Sequence, residues 1–238
     1  MPLLILVRHG QSKWNLEKRF TGWVDIGLTP QGKLEACKAG ELIKKEKIVI
    51  DYYFTSLQVR AIDTLRLLQD ALRDGKESVN VWQLNERHYG SLTGLNKDEM
   101  KKKFGEKKIK EFRRSWNIKP DPLSKNSPYH PSNITTYKDV PSSKIPDTES
   151  LEDTFNRVIS FYKEEIENKL KNQKNILISA HGNSLRALCK YLFKLDETKI
   201  TKLEIPTGNP LLIKFNEKME LNEYKYLDQS RAESLLIT

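Results

Sequence analysis

Long apolar runs are missing from this chain of 238 residues, whose mean hydropathy is −0.64. No stretch approaches the ~20 residues that a membrane-spanning helix needs. The apolar start, Met1-Pro2-Leu3-Leu4-Ile5-Leu6-Val7, is short, lacks a basic leader and a small-residue cleavage site, and runs straight into Arg8. It reads as a buried strand rather than a signal peptide. Cysteine is scarce too: Cys37 and Cys189 stand far apart in helical patterns, which excludes a disulfide framework. Two free, buried thiols in a reducing, cytoplasmic setting are expected, and neither has the neighbours zinc requires. Also absent are a glycine-rich phosphate loop with its lysine, a histidine pair at helical spacing and a carboxylate cluster suited to magnesium. The chemistry expected is metal-free. No internal repeat is visible.

What the chain has in abundance is positive charge, with 41 Lys and Arg against 32 Asp and Glu, a formal net charge of +9. Much of the lysine lies in the run from Lys101 to Lys110 and at Lys44, Lys45 and Lys47. Such runs are mostly solvated faces, and no recognition motif or interleaved aromatic stripe supports nucleic-acid binding.

Buried strands are expected at Leu3–Val7, Ile48–Thr55, Val79–Gln83, Ile176–Ala180 and Leu211–Phe215, with an edge strand near Tyr224–Leu227. Helices alternate with them. Thr29-Pro30 opens one that runs to about Lys45; Ala61, Leu65, Leu68 and Leu72 mark a second; Ser150 caps a long third through Leu170; Gly182 onward begins a fourth. The pattern predicts an α/β fold, a three-layer sandwich with a mostly parallel central sheet flanked by helices. An insert at about 96–147, helical and basic to Trp116 and then proline-rich and irregular, is expected to form a lid within a single domain spanning 1–238.

Two strands end alike, in Arg8-His9-Gly10 and in Ala180-His181-Gly182-Asn183. Ligands of open parallel sheets bind beyond the carboxyl ends of the strands, and both histidines fall there. Glycine after each would let backbone approach a ligand, and the helix that follows Gly182 offers free N–H groups to an anion. Arg60, after the second strand, should reach the same edge, although alone it would read as a surface helix arginine. With Arg8 it would hold phosphoryl oxygens and keep the histidines neutral. His9 is then the candidate covalent nucleophile, with His181 and the arginines stabilising the transferred group. Glu86, after the third strand, is the candidate general acid and base; a salt bridge to Arg87 or another arginine is its alternative role.

With these residues in place, four blocks carry a resemblance: Leu6 to Asn15, Arg19 to Trp23, Leu84 to Gly90 continuing to Lys97, and Ala180 to Leu188. The chain resembles the histidine phosphatase superfamily, and within it the 2,3-bisphosphoglycerate-dependent phosphoglycerate mutases. That resemblance implies glycolytic and gluconeogenic interconversion of 2- and 3-phosphoglycerate through phosphorylated His9, with 2,3-bisphosphoglycerate as primer and no metal. It implies Glu86 as proton donor and acceptor, and Arg8, Arg60 and His181 around the transferring phosphate with Asn15, Gly182 and Asn183. Ser12, Thr21, Gly22, Arg87, Tyr89, Lys97, Arg113 and Arg114 would bind the rest of the substrate. The partners implied are small phosphorylated three-carbon acids, with no nucleic acid and no membrane, in a homo-oligomer (dimer or tetramer).

A bisphosphoglycerate synthase or an acid phosphatase on the same scaffold is the alternative activity. Ser12 favours the mutase, since the synthase branch has glycine there; Lys97 and Arg113-Arg114 form a second anion clamp that a broad phosphatase does not need. Besides the divergent loop at 117–147, two departures stand out. Gln11 replaces the family's common glutamate, and the tail after Leu227 is short, which suggests weaker shielding of the phosphohistidine and more side phosphatase activity.

Overall fold

The computed structural model describes residues 1–235. Among the described residues six strands form one sheet in the order β3-β2-β4-β1-β5-β6: β1 (Leu3–Arg8), β2 (Tyr52–Thr55), β3 (Ser78–Asn80), β4 (Ile176–Ala180), β5 (Leu211–Phe215) and β6 (Leu221–Tyr226). The first four run parallel, and β5 and β6 continue the sheet through antiparallel pairings. The expected architecture is present.

Alternation along β1 explains the layers. Ile5 and Val7 face one core with Ala39 and Ile43 of α2 (Pro30–Lys45, after the short α1, Lys13–Leu16) and Leu65 and Leu68 of α3 (Val59–Leu72). Leu4 and Leu6 face the other, shared with residues of α6 (Leu151–Phe161), α7 (Glu167–Lys171) and α8 (Gly182–Leu192). The insert contributes α4 (Lys97–Phe104) and α5 (Glu106–Arg114), and α9 (Glu197–Lys202) precedes β5.

Local chemistry sets the helix starts. The Thr29 side chain accepts from the Gly32 amide with Pro30 in the first turn, and Ser150 and Asp153 cap α6 reciprocally. Four expectations change. The second strand begins at Tyr52 rather than Ile48, and the third is cut to Ser78–Asn80 because a 3₁₀ turn takes Trp82–Leu84. The basic helix breaks in two at Gly105, whose φ of +84° suits glycine. The long helix from Ser150 contains a π-helical segment at Tyr162–Ile166.

Cys189 is buried, while Cys37 is only half-buried.

Candidate active site

Because β1, β2 and β4 are parallel neighbours, their carboxyl ends deliver His9, Ser56 and His181 to one edge. The His9 amide donates to Ala180 O at 2.9 Å, so the β1–β4 ladder continues to the histidine itself. The Gly10 amide donates to Thr64 Oγ1 at 3.1 Å, which ties the same turn to α3. A Cβ on Gly10 would stand 2.1 Å from Gly32 O. Here the glycine serves close approach of the α2 backbone, not of a ligand.

His9 Nδ1 lies 2.7 Å from Gly10 O. A carbonyl can only accept, so Nδ1 carries the proton and Nε2 keeps its lone pair. Burial, then the charges of Arg60 and Arg8, hold the imidazole well below its ordinary pKa. His9 is therefore neutral at pH 7, with one nitrogen locked as donor and the other nucleophilic. His181 packs edge-on against it, ring centroids 4.9 Å apart, with Nε2 2.7 Å from Ser56 Oγ. Burial and the Arg60 charge keep it neutral too.

The pair sits at a cavity of about 170 Å³, below the ~300 Å³ typical of drug-sized ligand sites. Its walls include Arg8, His9, Asn15, Thr21, Gly22, Arg60, Glu86, Tyr89, Lys97, Arg113, Arg114, Gly182 and Asn183, so thirteen of the sixteen site residues expected from sequence converge there. The other three lie just behind. His181 backs His9. Ser12 is buried as the cap of α1, its Oγ accepting from the Asn15 amide, and so it orients Asn15. Arg87 is buried with its guanidinium carbon 4.7 Å from the Tyr89 ring centre.

Glu86 is 9% exposed. Its Oε1 accepts from the Arg87 amide at 2.8 Å, the Asn183 amide at 3.2 Å and Asn183 Nδ2 at 2.9 Å. The contact to Arg87 is thus a backbone hydrogen bond, and among the described residues no salt bridge engages this carboxylate, which leaves Oε2 for proton handling. Asn183 Nδ2 also donates to Tyr89 Oη at 3.1 Å. Burial alone would raise the Tyr89 phenol, but the charges of Arg87, Arg113 and Lys97 outweigh it and lower it. Lys97 itself is lowered, chiefly by burial.

Arg60 is buried and donates to Val24 O and Gly22 O, both at 2.9 Å, so it also shapes the loop that carries Thr21 and Gly22. Arg8 donates to Ile205 O at 2.7 Å and leaves its buried Nε without a partner. Arg87 Nε and Nη1 and Arg186 Nε are likewise buried and unpartnered among the described residues. The unsatisfied donors of Arg8 and Arg186 stand in the cavity wall, with Arg87 behind it, and fit a multiply charged anion.

Sequence reasoning missed three wall residues, Arg186, Glu204 and Ile205. Arg186 donates to Asn183 Oδ1 at 3.0 Å, and burial, with Arg114 and Arg87 nearby, pulls it down to about 9. A charged residue amid Leu185, Ala187 and Leu188 was the available signal. Glu204 forms an ion pair with Arg114, so a carboxylate shares half of the second clamp.

The lid divides in two. Lys97, Arg113 and Arg114 bring α4 and α5 to the cavity, whereas nothing among the described residues of 117–147 lines it. That segment instead braces the Thr21–Asp25 loop, through Tyr137 Oη to Trp23 O and Thr136 Oγ1 to Asp25. Gln11 also lies outside the cavity, its Oε1 accepting from Thr29 Oγ1 at 3.0 Å. The tail turns back over the sheet edge, where Arg231 donates to Thr207 O at 2.9 Å and Leu235 is buried; Leu236–Thr238 lie outside the described residues. Among the described residues no group of three or more His, Cys, Asp or Glu could hold a metal ion.

A neutral histidine pair at a strand edge, ringed by guanidinium groups and flanked by one carboxylate, defines the class. The chain belongs to the histidine phosphatase superfamily, whose branch 1 family model matches residues 4–130 and 127–221. Within it, the chain is 69% identical over 237 residues to a 2,3-bisphosphoglycerate-dependent phosphoglycerate mutase of Pelagibacter ubique, with both chains covered completely. It is 48% identical to the mutase of that name from Caulobacter vibrioides, covering 99% of this chain and 98% of the relative. The particular family is that of the 2,3-bisphosphoglycerate-dependent phosphoglycerate mutases. In fold it matches a mycobacterial glucosyl-3-phosphoglycerate phosphatase with a TM-score of 0.70 at 20% identity, covering 95% of this chain and 97% of that one.

Proposed function

We propose that the chain interconverts 3- and 2-phosphoglycerate by carrying a phosphoryl group on His9 Nε2. The observation that supports this most directly is the hydrogen bond from Nδ1 to Gly10 O, which leaves Nε2 as a fixed nucleophile in a cationic cavity. When bound, 2,3-bisphosphoglycerate supplies the phosphoryl group that primes His9, and the unpartnered donors of Arg8 and Arg186 in the cavity wall suit its charge. Arg8 and Arg60 offset charge on the transferring oxygens, with His181, Asn15 and Asn183 beside them. Glu86 takes the proton of the accepting hydroxyl as the oxygen–phosphorus bond forms and the nitrogen–phosphorus bond breaks, and returns it to the leaving oxygen in the reverse sense. Lys97, Arg113 and Arg114 hold the group that does not react, with Thr21, Gly22 and Tyr89 completing the wall and Ser12 and Arg87 supporting it from behind. The reading extends to a metal-independent enzyme of one domain, working in the cytoplasm as a dimer or tetramer.

Conversion of 3- to 2-phosphoglycerate should be stimulated by the bisphosphate and persist in a chelator. His9→Ala should lose at least about 10⁴-fold in kcat. Full turnover in that variant would overturn the assignment.

A further inference from the structure

Arg157, on α6, touches neither the cavity nor His9, yet it is bound to the segment that carries Glu86. Its side chain is 8% exposed. Nε donates to Glu149 Oε1 at 2.7 Å and Nη2 to Glu149 Oε2 at 3.0 Å, a bidentate pair. Nη1 donates to Gln83 O at 2.6 Å and to Asn85 O at 2.9 Å, and Nη2 also to Glu86 O at 3.1 Å. All five N–H donors of the guanidinium are thereby used. Glu149 grips the same segment from its far end: Oε2 accepts from the His88 amide at 2.7 Å, and its own amide donates to His88 O at 3.1 Å.

Residues 85–88 belong to no strand or helix, so their carbonyls have no ladder to fix them. The only other side chain that fixes the Glu86 backbone among the described residues is Gln58, whose Oε1 accepts from the Glu86 amide at 2.9 Å. The geometry points to Arg157, clamped by Glu149, as the positioning residue of Glu86 in the phosphoryl-transfer reaction. The pair holds the acid/base carboxylate in the wall of the cavity that His9 also lines while contributing nothing to ligand binding. Lysine cannot replace it, since an ammonium has three donors and no planar fork to span a carboxylate and three carbonyls. The inference rests on the proposed acid/base role of Glu86.

The test compares wild type, Arg157→Lys and Glu149→Gln, each normalised to folded protein by its thermal transition. Three quantities are read: kcat, KM for 3-phosphoglycerate, and calorimetric affinity for inorganic pyrophosphate as a probe of the cationic cavity. A displaced Glu86 should lower kcat about 10- to 100-fold in Arg157→Lys, with KM and pyrophosphate affinity within about threefold of wild type. Glu149→Gln, which keeps an acceptor but not the charge, should fall between. An unchanged kcat per folded molecule would overturn the inference, and so would parallel losses of kcat and pyrophosphate affinity, which would mean a general collapse of the site. Absence of wild-type turnover would instead count against the reading on which this rests.

Discussion

Three histidines are buried without charge, and that has a consequence for stability. His9 and His181 are held well below the ordinary value, and burial with His130 nearby takes His88 down to about 3. In the unfolded chain each would titrate near 6.5. Between the folded and unfolded values, then, the unfolded chain binds more protons, and acidification favours it. Stability should be level above about pH 7.5 and fall below pH 6.5, by up to about 1.4 kcal/mol per pH unit for each histidine. Urea melts at pH 7.5, 6 and 5 would show this, and a midpoint constant over that range would contradict it. The same depressions keep His9 nucleophilic at neutral pH, so catalysis and acid lability have one cause.

At the scale of elements, the turn after β1 shows how closely packing and chemistry are joined. Gly10 and Gly32 lie backbone to backbone, with a Cβ on Gly32 falling 2.1 Å from Gln11 O and one on Gly10 as close to Gly32 O. Gly10→Ala must push α2 from β1 and carry His9 with it. We expect a loss of about 3 kcal/mol or more, or failure to fold, with residual activity falling more than the folded fraction. Chemical denaturation with activity assays checks both, and near wild-type stability would refute the contact. The sequence showed that a glycine stood there, but not which backbone would approach it. The ends of β1, β2 and β4 were legible because apolar runs stop at polar residues, and they placed Arg8, His9, Arg60 and His181 together; Glu86 reaches the same cavity although β3 ends at Asn80 rather than Gln83. What stayed hidden were charges inside helices. Arg157 looks like a solvated helix arginine until tertiary packing buries it, Arg186 is marked only by its apolar neighbours Leu185, Ala187 and Leu188, and Glu204 joins the site only because α9 packs near α5. Local pattern carries no trace of such pairings, which are made between segments far apart in the chain.

Across the whole molecule the formal net charge is +9, and the cavity walls hold Arg8, Arg60, Lys97, Arg113, Arg114 and Arg186 against only Glu86 and Glu204. The exposed lysines of α4 and α5 extend that field outward on the helices that bring Lys97, Arg113 and Arg114 to the rim. Charges spread over a surface act at range only while the screening length is long, about 30 Å at 0.01 M salt and about 10 Å at 0.1 M. Encounter with a phosphorylated acid should therefore weaken as salt rises, whereas steps inside the cavity, shielded from ions, should not. Raising sodium chloride from about 0.01 to 0.2 M should lower kcat/KM for 3-phosphoglycerate about tenfold and leave kcat nearly unchanged. Replacing Lys102, Lys103, Lys107 and Lys108, which line no part of the cavity, by glutamine should flatten that dependence. Should the quadruple variant keep the full salt response, the steering field belongs to the cavity walls alone and the lysine face is only a solvated surface.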